Sequence, residues 1–202
     1  MKKPLSLPFV VSAALLSAAG LHAAGSADAY VLEDFDGNAA PGVVAMTEGQ
    51  LVDVDGNGDK EARFVTTNFS QIIRLNFERG GELIGKIEQY PVLVYTVAAV
   101  PGRNEGSFLQ TMVQVMTNAK GGVYDVFPES RTPLSKNGIP GTVRLNLLEA
   151  ETKEGVALKD LIRAFKEGDG SNLRINITQQ SSRDATTDCV YDDIRLEKAD
   201  GG

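Results

Sequence analysis

Residues 91–102 read PVLVYTVAAVPG and residues 108–116 read FLQTMVQVM, and these two segments indicate the fold class. Both are short apolar runs rich in residues that favour strands, and a Pro-Gly pair ends the first of them. Similar runs recur along the chain, separated by clusters of Gly, Asn, Asp and Pro. Short strands with turn signals between them predict an all-β fold, a β-sandwich of two antiparallel sheets.

The same pattern over the rest of the chain predicts ten strands and one short helix. The strands are predicted at residues 30–35, 50–53, 62–67, 71–77, 82–87, 91–100, 108–116, 142–147, 172–178 and 189–196. The helix is predicted at residues 158–165, because the apolar residues there recur at the spacing of one helical face. These apolar residues are Leu158, Leu161, Ile162 and Phe165.

The chain of 202 residues is acidic, with 20 Lys and Arg residues against 27 Asp and Glu residues and a formal net charge of -7. Nucleic acids and anionic membranes bind through clustered positive charge, so this balance argues against both as partners. The one histidine, His22, lies in the predicted export segment described next. Serine-histidine triads, histidine bases and histidine-ligated zinc are therefore excluded for the mature chain.

Residues 1–29 have the features of a secretory signal peptide. Two lysines precede an apolar run at residues 9–21, and small residues follow it. Cleavage is predicted after Ala29, with Ala23 and Ala24 as the alternative positions. The apolar run is shorter than the roughly 20 residues that span a bilayer, so we expect no membrane insertion.

The chain contains one cysteine, Cys189. It therefore has no lipidation cysteine after the signal and no intrachain disulfide. We expect a secreted or periplasmic protein whose mature part, residues 30–202, is a single β-sandwich domain.

The first and last predicted strands each carry acids: Asp34 and Asp36 at the first, and Asp192 and Asp193 in the last. Because side chains alternate along a strand, Asp192 is expected on the same face as the apolar residues Val190 and Ile194. A carboxylate there costs several kcal/mol unless it is paired, protonated or bound to a cation. Oxygen ligands from both strands would suit one structural Ca2+, which takes about six to eight of them. The alternatives are a bulge that turns Asp192 to solvent and carboxylates that cap local backbone amides.

A further acidic segment, residues 53–59, is similar to the first half of an EF-hand calcium loop. The position where such a loop needs a closing Glu is occupied by Phe64. An EF-hand is therefore rejected, and a turn rich in Gly, Asn and Asp is expected here.

The two end strands also carry a family resemblance, in the sequences VLEDFDG at residues 31–37 and CVYDDIRLE at residues 189–197. Together with the segments at 91–102 and 108–116, they resemble strands of the jelly-roll carbohydrate-binding modules of the galactose-binding-domain-like superfamily. This resemblance implies a jelly-roll fold, carbohydrate binding and a structural calcium site. The calcium ligands that it implies are Asp36 and Asp192, with Asp34 and Asp193 as neighbouring acids that can substitute.

Three predicted strands share the pattern Arg, apolar, Asn, at residues 74–76, 144–146 and 174–176. If the apolar members point into the core, the Arg and Asn members form an outward face that can bind sugar hydroxyls, carboxylate or sulfate. The predicted strand at residues 108–116 shows the same alternation, with Gln at the outward positions. Tyr95 is the aromatic residue expected to flank a ligand-binding groove on this face. The predicted ligand-binding residues are Arg74, Asn76, Tyr95, Gln110, Gln114, Arg174 and Asn176. The alternative is an ordinary solvated face of a sheet.

These observations predict an exported, non-catalytic, lectin-like module that recognises a polysaccharide on a concave sheet face. The competing interpretation is a structural or cell-surface assembly domain that uses the same fold to bind protein. A third interpretation is a polysaccharide lyase or glycoside hydrolase of the jelly-roll type. Hydrolysis requires two carboxylates across a cleft, and the strands lack the closely spaced acids that jelly-roll hydrolases carry on a core strand.

Overall fold

The computed structural model describes residues 28–54, 56–67, 69–100, 110–118, 122–126, 141–170, 172–180 and 186–199. Eleven strands and two helices form in this part of the chain. The strands are β1 (Ala29–Glu33), β2 (Val43–Ala45), β3 (Gln50–Val52), β4 (Glu61–Thr67), β5 (Phe69–Phe77), β6 (Val92–Ala99), β7 (Gln110–Thr117), β8 (Gly122–Val126), β9 (Gly141–Asn146), β10 (Leu173–Gln180) and β11 (Thr186–Glu197). The helices are α1 (Glu82–Gln89) and α2 (Leu158–Lys166).

The strands form two antiparallel sheets. Sheet A has the strand order β3-β4-β11-β6-β9, and β1 pairs with β11 as a sixth strand. Sheet B has the order β2-β5-β10-β7-β8. The predicted all-β fold, a two-sheet antiparallel sandwich of the jelly-roll type, is therefore confirmed.

The apolar core lies between the two sheets. In β6 of sheet A, Leu93 and Val97 are 0% exposed, and in β10 of sheet B, Leu173 and Ile177 are also 0% exposed. Burying one such aliphatic side chain contributes about 1.5–3 kcal/mol. The core-facing side chains of each sheet thus come from alternate positions of its strands.

Helix α2 forms where the sequence predicts a helix. Its four periodic apolar residues, Leu158, Leu161, Ile162 and Phe165, are buried and belong to the core. Arg79 also holds this helix, because its guanidinium lies 5.4 Å from the centre of the Phe165 ring and its Nε donates to the Phe165 carbonyl oxygen at 3.0 Å.

Helix α1 replaces the strand predicted at residues 82–87, so that prediction and the prediction of a single helix are wrong. Leu83, Ile84 and Ile87 are its buried residues, and they lie on one helical face. A run of about six residues is too short for its apolar period to distinguish a helix from a strand. In the described part of the chain, no helix has the length and hydropathy needed to cross a membrane.

A β-bulge in β11 decides the orientation of the acids in that strand. The pairing of β11 with β6 shifts register between Asp192 and Arg195, and Asp193 adopts a φ of 53°. Tyr191 before the bulge and Ile194 after it both belong to the core. Asp192 points away from the core because Tyr191 beside it points inward, and the extra residue after Asp192 returns Ile194 to the core side. The prediction that Asp192 shares a face with Ile194 is therefore wrong. The bulge that was the alternative interpretation is present.

Candidate functional site

The face of sheet B that points away from the core brings together most of the predicted ligand-binding residues. We call it the outer face of sheet B and define it by Val44, Gln71, Arg74, Asn76, Arg174 and Asn176. In the register of β5 and β10, Arg74 lies opposite Asn176, and Asn76 lies opposite Arg174. Directly opposite residues of an antiparallel pair present their side chains on the same face, so these four form one patch.

Arg74 is held in a defined orientation at the centre of this patch. Its Nε donates to Oδ1 of Asn176 at 3.0 Å, and its Nη2 donates to Oε1 of Gln71 at 2.7 Å. Both partners are neutral amides, so they orient the guanidinium without neutralising its charge. Arg74 therefore presents a preorganised cation and donor at this face.

Asn176 lies beneath this arrangement, because its side chain is 0% exposed. Its Oδ1 is used by Arg74, whereas its amide nitrogen Nδ2 is buried without a hydrogen-bond partner. A buried donor without a partner costs about 1–3 kcal/mol. Asn176 thus acts through Arg74 in this structure, and it does not present its side chain to solvent as a direct ligand contact would.

Gln110 and Gln114 lie in β7, the strand next to β10 on the side away from β5. The register places Gln114 opposite Asn176 and Gln110 opposite Gln180. Their side chains are outside the described part of the structure. The backbone therefore places both residues beside the patch, and their contact with a ligand remains a prediction.

Tyr95 and Arg144 do not join the patch, because β6 and β9 belong to sheet A. The ring of Tyr95 is 0% exposed and packs in the core 6.3 Å from the ring of Tyr191. The prediction that Tyr95 flanks the groove is therefore wrong. Arg144 forms an ion pair with Glu197 of sheet A at 2.6 Å.

The sequence analysis missed the aromatic residue that does lie on the outer face of sheet B. Phe69 is 43% exposed and precedes Gln71 by two residues in β5, so both point to the same side. Val44, which is 44% exposed, lies opposite Arg74 in β2 and adds a second apolar contact to the face. The sequence signal for this residue was its spacing of two positions from Gln71, which places both side chains on one strand face. It was lost because the predicted strand began after Phe69 and because the register of β5 with β10 shifts just beyond Gln71.

Asp34, one of the predicted calcium ligands, caps the turn after β1. Its Oδ1 accepts hydrogen bonds from the backbone N–H groups of Asp36 at 2.9 Å and Asn38 at 3.0 Å, and its Oδ2 accepts one from Nδ2 of Asn38 at 2.6 Å. Burial acts to raise the pKa of Asp34, but these hydrogen bonds outweigh it and the pKa is lowered. The alternative interpretation, capping of backbone amides, describes this residue.

The remaining predicted ligands, Asp36, Asp192 and Asp193, form an acidic cluster with Asp59 and Glu61, in strands β4 and β11 of sheet A and in the loops after β1 and before β4. A hydrogen bond that the protonated Asp36 carboxyl group donates to Asp59, partial desolvation and the charges of Asp59 and Asp34 raise the pKa of Asp36. Burial, with the charges of Asp193, Asp59 and Glu61, raises the pKa of Asp192 to about 6. Burial also raises the pKa of Asp193, although its ion pair with Arg195 opposes the rise. The shared feature of the cluster is that its carboxylates repel one another.

A cation would relieve that repulsion, but the side chains do not surround a common point. Among the described residues, no three acidic, cysteine or histidine side chains are placed to hold one metal ion. Asp53, in the EF-hand-like segment, uses both carboxylate oxygens to accept backbone N–H groups, from Gly56 at 2.6 Å and Gly58 at 3.1 Å. The calcium site therefore remains a prediction.

Comparison with known proteins shows that several solved structures have a fold similar to that of this chain. No protein-family model matches this chain, and no curated protein sequence is similar enough to match it. Among solved structures, the chain is similar to a family 11 carbohydrate-binding module of a cellulosomal cellulase of Clostridium thermocellum, with 12% identity, a TM-score of 0.46 and coverage of 86% of this chain and 96% of that one. A family 11 module from the same organism, in complex with a β-1,3-1,4-mixed-linked tetrasaccharide, is 14% identical with a TM-score of 0.46 and coverage of 86% and 98%.

An exo-β-agarase is similar as well, with 11% identity and a TM-score of 0.50. The match covers 84% of this chain and 25% of the agarase chain. At these identities the likeness concerns the β-sandwich fold alone.

Proposed function

We propose that this chain is an exported, non-catalytic module that binds a polysaccharide on the outer face of sheet B. The observation that carries the proposal is the arrangement around Arg74. Asn176 and Gln71 hold its guanidinium in place, and the exposed apolar side chains of Phe69 and Val44 belong to the same face.

This combination suits a sugar chain because a pyranose ring has both hydroxyl groups and apolar C–H faces. Guanidinium and amide donors can bind vicinal hydroxyls, and an exposed aromatic ring can pack against the C–H face. A donor whose orientation is already fixed loses less conformational entropy on binding. The sequence resemblance to jelly-roll carbohydrate-binding modules supports the same assignment.

The absence of catalysis is part of the proposal. The five described strands of sheet B contain one acidic residue, Asp125, in the edge strand β8. Glycoside hydrolysis uses two carboxylates on opposite sides of the scissile bond. The chemistry of this face therefore favours recognition of a glycan over its cleavage.

Export is also part of the proposal, and contacts at the start of β1 bear on where the signal is removed. Ala29 pairs with Glu197, and the backbone N–H of Lys198 donates to the Asp28 carbonyl oxygen at 3.2 Å. Cleavage after Ala29 would remove the residues that make these contacts. We therefore propose cleavage after Ala23 or Ala24, which N-terminal sequencing of the exported protein would establish.

The function is tested by affinity electrophoresis of the purified domain in gels that contain a panel of neutral and acidic polysaccharides. We expect retardation in at least one gel, and a loss of about tenfold or more in affinity for Phe69→Ala and Arg74→Gln. The matched control is Val65→Ala, because Val65 is a 57% exposed apolar residue on sheet A. If no polysaccharide retards the folded protein, the proposal fails and the protein-binding interpretation gains support. If Val65→Ala weakens binding as much as Phe69→Ala, the assignment to sheet B is overturned.

A further inference from the structure

Charged residues are divided unequally between the two sheets. The described strands of sheet A contain six acidic residues and three arginines. Those of sheet B contain two arginines, Arg74 and Arg174, and one acidic residue, Asp125. Among the described strand residues, the acids are thus concentrated on sheet A, and the strands of sheet B carry one more arginine than acidic residue.

Arg174 is distinct from the other arginines that the structure describes. Each of the others has a partner: Arg63 pairs with Asp188, Arg74 with Asn176 and Gln71, Arg79 with the carbonyl oxygens of Phe165 and Gly170, Arg144 with Glu197, Arg163 with Asp160, and Arg195 with Asp193 and Glu197. Arg174 lies in β10, the middle strand of sheet B, and its side chain is half-buried. Its cross-strand neighbours, Asn76 and Met116, carry no charge.

Arg74 and Arg174 occupy neighbouring positions on the outer face of sheet B. Arg74 lies opposite Asn176, so Arg174, two residues earlier in β10, is its diagonal neighbour across the strand pair. Diagonal neighbours in an antiparallel pair are about 7–8 Å apart, within reach of long side chains. Both are cations on one face, and neither has a carboxylate partner among the described residues. A guanidinium group without a counter-ion is suited to bidentate binding of an anion.

We infer that the polysaccharide bound by this face carries carboxylate groups, as in a polymer of uronic acids, and that Arg174 and Arg74 bind a carboxylate. This inference rests on the proposed function. A planar carboxylate matches the two parallel N–H donors of a guanidinium, whereas a neutral polysaccharide would leave both charges without a counter-ion.

The test compares polymers that differ in charge but not in backbone. The probes are polygalacturonate and alginate as uronate polymers, fully methyl-esterified polygalacturonate as the uncharged counterpart, a neutral β-glucan, and dextran sulfate. Affinity is measured by isothermal titration calorimetry at fixed ionic strength. The variants are Arg174→Gln, which removes the charge, and Arg174→Lys, which keeps the charge but loses the planar pair of donors. Arg163→Gln on α2 is the control for the loss of one positive charge, because its ion pair with Asp160 is exposed.

We expect a uronate polymer to bind at least about tenfold more tightly than its methyl ester or the β-glucan, and Arg174→Gln to abolish that preference. Arg174→Lys should recover only part of it, and Arg163→Gln should leave it unchanged. Equal affinity for polygalacturonate and its ester, or binding to the β-glucan alone, overturns the inference and leaves the proposed function standing. Equal binding of dextran sulfate, weakened alike by Arg163→Gln and Arg174→Gln, overturns it as non-specific charge attraction. If none of the polymers in either panel binds, both proposals fail.

Discussion

Replacing Asp192 by Asn tests whether the acidic cluster of sheet A destabilises the folded protein at neutral pH. Burial, followed by the charges of Asp193, Asp59 and Glu61, raises the pKa of Asp192 to about 6. In an unfolded chain an Asp titrates near about 3.9. The folded state therefore disfavours the charged form, and the free energy of unfolding should fall as the pH rises from about 4 to about 6.

The size of the effect follows from that difference in pKa. A difference of about two corresponds to about 3 kcal/mol, and because Asp192 is only partly buried, solvent screening reduces the expected value to about 1 kcal/mol. For a domain of this size, that corresponds to about 2–4 °C in Tm. Asp192→Asn should be more stable than the wild type by this amount at about pH 7.5 and equally stable at about pH 4.

Thermal unfolding followed by circular dichroism across this pH range, with a chelator present, measures the effect. The control is Asp169→Asn, which removes one negative charge at an exposed position beyond the end of α2. The reasoning is refuted if Asp192→Asn melts at a lower temperature than the wild type at about pH 7.5. It is also refuted if the two proteins depend on pH in the same way.

The same proteins test the calcium prediction in a second arm. If the acidic cluster binds Ca2+, a concentration of about 100 times Kd stabilises the wild type by about 2.7 kcal/mol, and Asp192→Asn should lose most of this shift. Equal shifts in wild type and variant, or no shift in either, would count against a calcium site that uses Asp192.

Three further substitutions test the structure of the sandwich by chemical unfolding. Asp188→Ala removes the partner of Arg63 from an ion pair of 2.6 Å, in which the Asp188 side chain is 3% exposed. Because Arg63 can reach water, we expect the free energy of unfolding to fall by about 2 kcal/mol, less than for a fully buried pair. Leu161→Ala empties a 0% exposed position between α2 and the sheets and should cost about 2–5 kcal/mol. Gly49→Ala places a Cβ 2.6 Å from the Phe64 ring and should cost about 1–3 kcal/mol, whereas a neutral effect would show that the ring can move aside.

Most strands and one helix could be predicted from the sequence because they depend on local periodicity. An apolar residue at every second position leads to a core-facing row of side chains wherever the chain pairs into a sheet, as in β9 and β10. Helix α2 was predictable for the same reason, since its stripe extends over two turns. Helix α1 was not predicted, because three apolar residues, Leu83, Ile84 and Ile87, in a segment of eight give too short a pattern to establish a helical period.

The candidate site was predictable only in part, because alternation shows which residues share a strand face but not where the strand lies. Arg74 and Arg174 become neighbours because β5 and β10 pair over a separation of about a hundred residues. Arg144 has the same local pattern, yet β9 pairs with β6 in the other sheet. Tyr95 is buried because the core lies on its side of β6.

The sequence by itself determined the fold class, the positions of most strands and the excess of negative charge, since each depends on composition or on a short period. Tertiary structure decided which strands pair, where a bulge reverses the alternation at Asp192, and which side chains meet at the outer face of sheet B. A bulge adds one residue and shifts every later side chain to the opposite face, and its position depends on the neighbouring strand. The arginine pair arises for the same reason, because the pairing of distant strands placed both Arg74 and Arg174 on sheet B, whereas six of the seven acidic residues in the described strands lie on sheet A.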